Sequence, residues 1–416
     1  MTDPDREKLQ VFLPSLTQLR AFYEVARLTS ISGAADYLRR SQSAVTQSVQ
    51  KLESELGVTL FDRTSAGSYL TDMGRILESR IDRCFDRIRS AVEALLIENG
   101  DDPAPADAMA RRITRAQILA LTAVHEHGSF ALAARHVQVS LTSLHRSART
   151  LEKQLGRELL VNSAQGVTTN SVGGKLSNQL LLAIRELEWA AEEIRSQQGI
   201  YRGRIAVGTL LLAGNPFVAV RLDDFVTRHP GVLVQLIHGS YDELLAKLRG
   251  GSIDFLVGLL KNPPPTDDVA EEGLAKDPYV ICVRNGHPLV ARGSVRVEDL
   301  RAAEWISPRP SSLRRGTYEE IFSGGPLPES GVETHSLLTL LVLLERSDRM
   351  ALMTRSELAL NRRLGGQLTE LGFAVDAVPP EIGITTRANW KPPLLQRSFL
   401  AALRATPADE GLPSEP

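Results

Sequence analysis

The stretch SQSAVTQSVQKLESELG, Ser41 to Gly57, decides the fold of the first part of this chain. Ala44, Val45, Val49, Leu52 and Leu56 fall at helical spacing and define a buried face. Ser41 is placed to cap the helix start and Gly57 to end it. At an offset of 99 residues the chain reads SLTSLHRSARTLEKQLG, Ser140 to Gly156. Ser41, Ser48, Leu52, Glu53, Leu56, Gly57 and Leu60 recur as Ser140, Ser147, Leu151, Glu152, Leu155, Gly156 and Leu159.

The same gapless offset extends outward in both directions. Gln18 returns as Gln117, Ser30 as Ser129, Ala34-Ala35 as Ala133-Ala134, and Gly67 and Gly74 as Gly166 and Gly173. A register this long implies two copies of one small domain. Each copy reads as a helix, a helix-turn-helix and a short hairpin. In the first, Leu19, Phe22, Tyr23 and Ala26 line a helix face, Ser32 is read as the cap of the second helix, and VTLFDRTSAGSYLT supplies two strands around a glycine turn.

A long helix follows each hairpin. Leu77, Ile81, Phe85, Ile88, Val92 and Leu95 repeat at steps of three and four, as do Leu176, Leu180, Ile184, Leu187, Ala191 and Ile194. About 25 residues make roughly 37 Å of helix, more than a small domain covers. The stripes therefore predict a helix-helix seam. The expected boundaries are 12–98 for copy one, a Pro/Ala/Asp linker at 99–112, and 113–198 for copy two. From 203 to 405, runs such as RIAVGTLLL, VLVQLIHG, IDFLVGLL and YVICVR alternate with helical segments, which predicts an α/β domain with mostly parallel strands. The tail 406–416 is expected to be disordered.

Composition narrows the function. The 416 residues carry a net charge of -2, so bulk charge does not make the chain a polyanion binder. Copy two is mildly basic, with six Lys or Arg, three acidic residues and four His between Thr114 and Gly174; the span Ser15 to Arg75 has seven against six. DNA binding must then rest on placed residues. Two distant cysteines give no disulfide framework. The polar start MTDPDREKLQ is no signal peptide, and the apolar run Leu337 to Leu344 is far short of the ~20 residues that span a bilayer. The reading is of a cytoplasmic protein that makes no membrane contact. The histidines show no metal spacing, no catalytic constellation or phosphate loop emerges, and no enzyme activity or cofactor is expected. His125 and His127 read as solvated residues beside a turn.

QLRAFYEVARLTSISGAADYLRRSQSAVTQSVQKLESELGVTLFDRT, followed by LTDMG, resembles the winged helix-turn-helix of LysR-type transcriptional regulators. RHPGVLVQLIHGSYDELLAKLRGGSIDFLVG and GHPLV resemble that family's effector domain, a type 2 periplasmic-binding fold. The wording of the GSYDELL region is also similar to regulators tied to sugar-binding-protein genes. The second winged domain departs from the family pattern. The fold expected is thus winged helix-turn-helix repeats, rich in α-helix, plus a two-lobed α/β effector domain. The resemblance implies binding to double-stranded promoter DNA, control by a small-molecule effector such as a sugar or organic acid, and a homo-oligomer formed through effector domains. In the family, two subunits pair their winged domains through antiparallel linker helices; here both helices lie on one chain.

In copy one the first turn of the third helix presents Gln42, Ser43, Thr46 and Gln47 to base edges, with Gln suited to adenine. Arg63 on the wing is a candidate for phosphate or minor groove, and Arg39 and Arg40 in the turn are either phosphate contacts or solvated surface. Ser43 and Gln47 stand where family members commonly have Pro and Arg. In copy two the candidates are Thr142, His145 and Arg146; Leu141 replaces Gln42 and Asn162 replaces Arg63. That copy either reads a different half-site or has lost base reading and kept a packing role. By family position the effector site draws on Thr209 and Leu210 after the first strand, Ser240 and Tyr241 at the second helix, Ser307 and Ser311, and His335 and Ser336. Each is otherwise an ordinary helix cap or turn residue. The rival function is a ligand-binding or enzyme-like α/β module whose winged repeats serve only protein-protein assembly.

Overall fold

The computed structural model describes residues 14–163, 166–210, 215–261, 263–292, 294–310, 312–334 and 336–405. Ser311, His335 and the tail 406–416 lie outside the described residues. The chain divides into two compact units at Gly203.

The first unit begins with α1 (Leu16–Leu28), α2 (Ile31–Leu38) and α3 (Gln42–Leu56), then the hairpin β1 (Phe61–Thr64) and β2 (Gly67–Leu70), then α4 (Asp72–Glu98). After α5 (Ala106–Arg112) the same order returns: α6 (Arg115–His127), α7 (Phe130–Val137), α8 (Leu141–Leu155), β3 (Leu160–Ser163), β4 (Gly166–Thr169) and α9 (Ser171–Gln197). The recurring residues hold equivalent places. Ser41 and Ser140 each accept a bond from the third residue onward. Gly57 and Gly156 end their helices at φ 67° and 65°, a conformation that costs glycine nothing. Glu53 accepts from the Leu60 amide at 2.9 Å and Glu152 from the Leu159 amide at 2.8 Å, which ties each third helix to its wing. Gly74 and Gly173 let the long helices start against the residue that leads into each hairpin: a Cβ there would sit 2.2 Å from the Leu60 carbonyl oxygen and 2.1 Å from that of Leu159.

Three local expectations change. Ser30, not Ser32, caps α2, accepting from the Gly33 amide at 3.1 Å; Ser32 already lies within the helix. The segment 99–112 is not all linker, because α5 occupies its second half with Ala106 and Ala110 buried. His125 and His127 are engaged rather than merely solvated: His125 Nδ1 lies 2.8 Å from the Thr169 hydroxyl and the His127 ring 4.3 Å from that of His136.

The two long helices pack against each other within this unit. Every predicted stripe residue is buried except Phe85, which is half-buried. The helices run antiparallel: Arg80 meets Glu193, Arg87 meets Glu186, and Glu98 meets Lys175. Glu186 is buried and also binds Arg80 at 2.9 Å and Arg83 at 3.2 Å. Burial alone would lower the Arg80 pKa; the carboxylates of Glu193 and Glu186 more than offset it, and the group stays charged. One continuous apolar cluster runs from Leu16 through this seam to Ile194.

The second unit starts with β5 (Gly203–Leu210), α10 (Asn215–Arg228), β6 (Val232–Gly239), α11 (Tyr241–Arg249), β7 (Phe255–Leu259) and β8 (Val269–Lys276). Next come β9 (Tyr279–Arg284), α12 (Val297–Arg301), β10 (Ile306–Ser307), α13 (Arg314–Ile321), β11 (Val332–Glu333), α14 (Leu337–Glu345), β12 (Ala351–Thr354), α15 (Arg355–Arg363) and β13 (Leu368–Glu370). β14 (Glu381–Arg387) and α16 (Leu394–Arg404) close it. The larger sheet has the order β6-β5-β7-β14-β8 and the smaller β12-β9-β13. The expectation of mostly parallel strands needs correction. β5 and β7 are parallel, but β14 runs antiparallel to β7 and β8, and β9 antiparallel to β12 and β13. Helix-strand alternation in the sequence fixes a crossover between neighbours; it carries no information on a late strand such as β14, which inserts between β7 and β8.

Candidate nucleic-acid interface and effector site

In copy one, α3 buries Val45, Ser48, Val49 and Leu52 and turns Gln42, Ser43 and Gln47 outward, with Thr46 half-buried. Ser43 Oγ lies 3.0 Å from that of Ser41. Arg39 sits at φ 53° in the turn and is exposed, whereas Arg40 is half-buried. Arg40 reaches back to Ser48 Oγ at 3.5 Å, which lays it along the helix. Arg63 projects from β1 and lies 3.9 Å from Glu53, so the carboxylate that holds the Leu60 amide also steadies the wing cation. The candidate DNA contacts of α3 thus share one outward face. In copy two, α8 presents Leu141, Thr142, His145 and Arg146, all exposed. The His145 ring packs 4.9 Å from that of Phe130.

The effector candidates divide. Thr209 and Leu210 end β5 rather than follow it, and both are buried. The Thr209 hydroxyl lies 2.6 Å from His238 Nδ1, a partner on β6 with no signal in the sequence. Ser240 caps α11 in a reciprocal box with Glu243. Tyr241 is buried and donates its hydroxyl to Glu271 at 2.8 Å; burial first, then that carboxylate, pushes its phenol pKa up. Lys261 stands 4.5 Å above the Tyr241 ring. Glu271 and Lys261 were likewise invisible to sequence reasoning, since neither belongs to a local motif. Ser307 is buried on β10 with an unpartnered hydroxyl. Ser336 caps α14, accepting from the Thr339 amide at 3.3 Å. The ordinary cap role thus accounts for the hydroxyls of Ser240 and Ser336. Thr209, His238, Ser240 and Tyr241 gather where β5 and β6 end and α11 begins.

This fold, with its exposed helix-turn-helix face and two-sheet α/β unit, defines a ligand-responsive DNA-binding regulator. Residues 198–408 match the LysR substrate binding domain, and residues 16–75 and 116–173 match the bacterial regulatory helix-turn-helix protein of the lysR family. The chain belongs to the LysR family of transcriptional regulators, which bind promoter DNA and small-molecule effectors. It is 29% identical over 383 residues to the HTH-type transcriptional regulator GalR of Pseudomonas putida, covering 92% of this chain and 94% of that one. It is 29% identical over 212 residues to the RuBisCO operon transcriptional regulator of Acidithiobacillus ferrooxidans, covering 51% and 68%. Its fold is similar to that of a full-length OxyR cysteine variant from Pseudomonas aeruginosa, with a TM-score of 0.54, 18% identity, and coverage of 70% of this chain and 94% of that one. No helix among the described residues is long and apolar enough to cross a membrane.

Proposed function

We propose that this regulator is a single-chain pseudo-dimer: a duplicated winged helix-turn-helix gives one polypeptide two non-identical DNA-reading helices. The observation that carries the reading is the charge at the centre of the α4–α9 seam. Arg87 and Glu186 stand at the same place in the two copies and face each other. If α4 paired with α4 of another chain in this register, Arg87 would face Arg87; if α9 paired with α9, two buried Glu186 carboxylates would meet. Two carboxylates meeting out of water are costly and two facing guanidinium groups repel, so each helix is suited to the other and neither to itself. The match to GalR supports an old duplication, since coverage of 92% of this chain leaves no room to omit either helix-turn-helix.

On this reading the domains are 12–98, the connection 99–112, 113–198, and an effector domain at 203–405, where a sugar or organic acid is sensed near Thr209, Leu210 and Ser240. The effector domains join chains into a homo-oligomer, and the protein works on cytoplasmic promoter DNA as a binder rather than an enzyme. Arg39, Arg40 and Arg63 serve the phosphates, while Gln42, Ser43, Thr46 and Gln47 face one half-site and Thr142, His145 and Arg146 the other. The test is binding of the full chain to the promoter region of its own gene. Gln42→Ala with Thr46→Ala should weaken binding by about 2–6 kcal/mol, from about 1–3 kcal/mol for each base contact. Unchanged affinity would remove α3 as the reader.

A further inference from the structure

Copy two differs from copy one at several outward positions. Gln42 is replaced by Leu141, Arg40 by Val139, Gly33 by Leu132 and Asp62 by Val161. All four apolar replacements are exposed, Leu141 by 51%. Several buried apolar positions meanwhile keep their character: Leu19, Ala34, Leu52 and Leu77 of copy one match Ile118, Ala133, Leu151 and Leu176 of copy two. Of these four, Leu141 lines a surface groove, where an apolar side chain can meet an apolar group of a partner. Leu141 opens α8 and lines a groove of about 770 Å³ with Phe130, Thr142, His145, Arg146 and Val167. Among the described residues, no carboxylate lines that groove.

We infer that this groove reads the 5-methyl groups of thymine in the half-site bound by copy two, with Leu141 as the contact. The inference rests on the reading that both copies touch DNA. In the major groove the thymine methyl is the apolar feature a base pair offers. An aliphatic reader suits it where a hydrogen-bonding side chain does not. Arg146 beside the groove complements a polyanion and suits guanine or phosphate. Gln42, at the equivalent place, suits adenine. The two halves of the operator therefore differ in chemistry at the positions facing residues 42 and 141.

The test uses the full chain on a promoter fragment that it protects. Thymines are replaced by deoxyuridine on one half of the protected segment at a time, which removes methyls and leaves base pairing intact. In one half, each methyl lost from contact should weaken binding about fourfold, from about 0.8 kcal/mol per buried methylene-sized group. Leu141→Ala should abolish that sensitivity in this half and leave the other half's response unchanged. Because Leu141 is half exposed, the variant should melt with wild type. If deoxyuridine weakens wild type and Leu141→Ala equally while Arg146→Ala lowers affinity, copy two touches DNA but Leu141 reads no methyl, and this inference fails alone. If Leu141→Ala and Arg146→Ala both bind as wild type and protection covers only one half-site, the two-reader proposal fails with it; the groove then belongs to a protein partner.

Discussion

Replacing Glu186 by Gln should cost the first unit about 3 kcal/mol, at the low end of the about 3–5 kcal/mol lost when one partner of a buried ion pair is removed. The Glu186 side chain is 2% exposed and accepts from Arg80 at 2.9 Å and from Arg83 and Arg87 at 3.2 Å. Glutamine keeps the shape, removes the charge, and turns an amide N–H toward guanidinium groups. Two features favour the lower end. Arg80 retains Glu193, bound through Nε at 3.1 Å and Nη2 at 2.8 Å. Arg83 and Arg87 are 25% and 26% exposed, so water recovers part of their loss. For a unit of this size the midpoint should fall by about 6–12 °C, at about 2–4 °C per kcal/mol. The assay is thermal and urea unfolding of residues 1–203 at neutral pH. Salt should change the loss little, because a buried pair is weakly screened. Glu98→Gln serves as the control on the same seam: its partner Lys175 is exposed and so is Glu98, and the cost should stay below about 1 kcal/mol. Equal small losses for both variants would refute the argument that the seam is organised around Glu186.

Three further outcomes are expected. Gly74→Ala should destabilise the first unit by about 1–3 kcal/mol through overpacking, because its Cβ would meet the Leu60 carbonyl; Gly57→Ala places its Cβ in open space and bears only the strain of positive φ, and unfolding curves of the two should differ in that order. Arg249 binds both oxygens of Asp268 at 2.7 Å and holds that carboxyl below its ordinary 3.8. The folded-state pKa is lowered, so the contribution is present above the unfolded value and lost as pH falls through the folded one. Arg249→Ala should therefore cost less than about 1 kcal/mol near neutrality, the pair being partly exposed, and the difference from wild type should shrink as pH falls below the ordinary 3.8; a difference that grew on acidification would contradict the sign. Thr209→Val with Ser240→Ala should lose the thermal shift that a screen of sugars and organic acids produces in wild type, and an equal shift in both proteins would remove these residues from the effector site.

The helical half of the fold was legible because its signals are local and occur twice. Apolar spacing placed the faces of α1, α3, α4 and α9, and the recurring Gly57 and Gly156 marked two helix ends; Gly74 and Gly173 recur as visibly, but their close backbone contacts depend on tertiary packing. The capping serine of α2 was misplaced by two residues because Ser30 and Ser32 carry the same chemistry. The short α5 was hidden by the run that precedes it, Asp101, Asp102, Pro103 and Pro105. In the α/β unit, strands with apolar runs were visible, whereas β8, VAEEGLAK, carries too few apolar residues to stand out. The effector candidates were legible only as positions. Whether Thr209 faces solvent or His238 depends on how β5 and β6 lie together, and no spacing within either strand encodes that. The same holds for Glu186: periodicity puts it on a helix, but only the antiparallel register sets it against three arginines.

The most direct test of a reader built within one chain is the mass of its first unit in solution. Residues 1–203 should sediment at equilibrium as a monomer at micromolar concentration, helical and with a single cooperative unfolding transition. A stable dimer or tetramer at that concentration would contradict the intrachain pairing of α4 with α9.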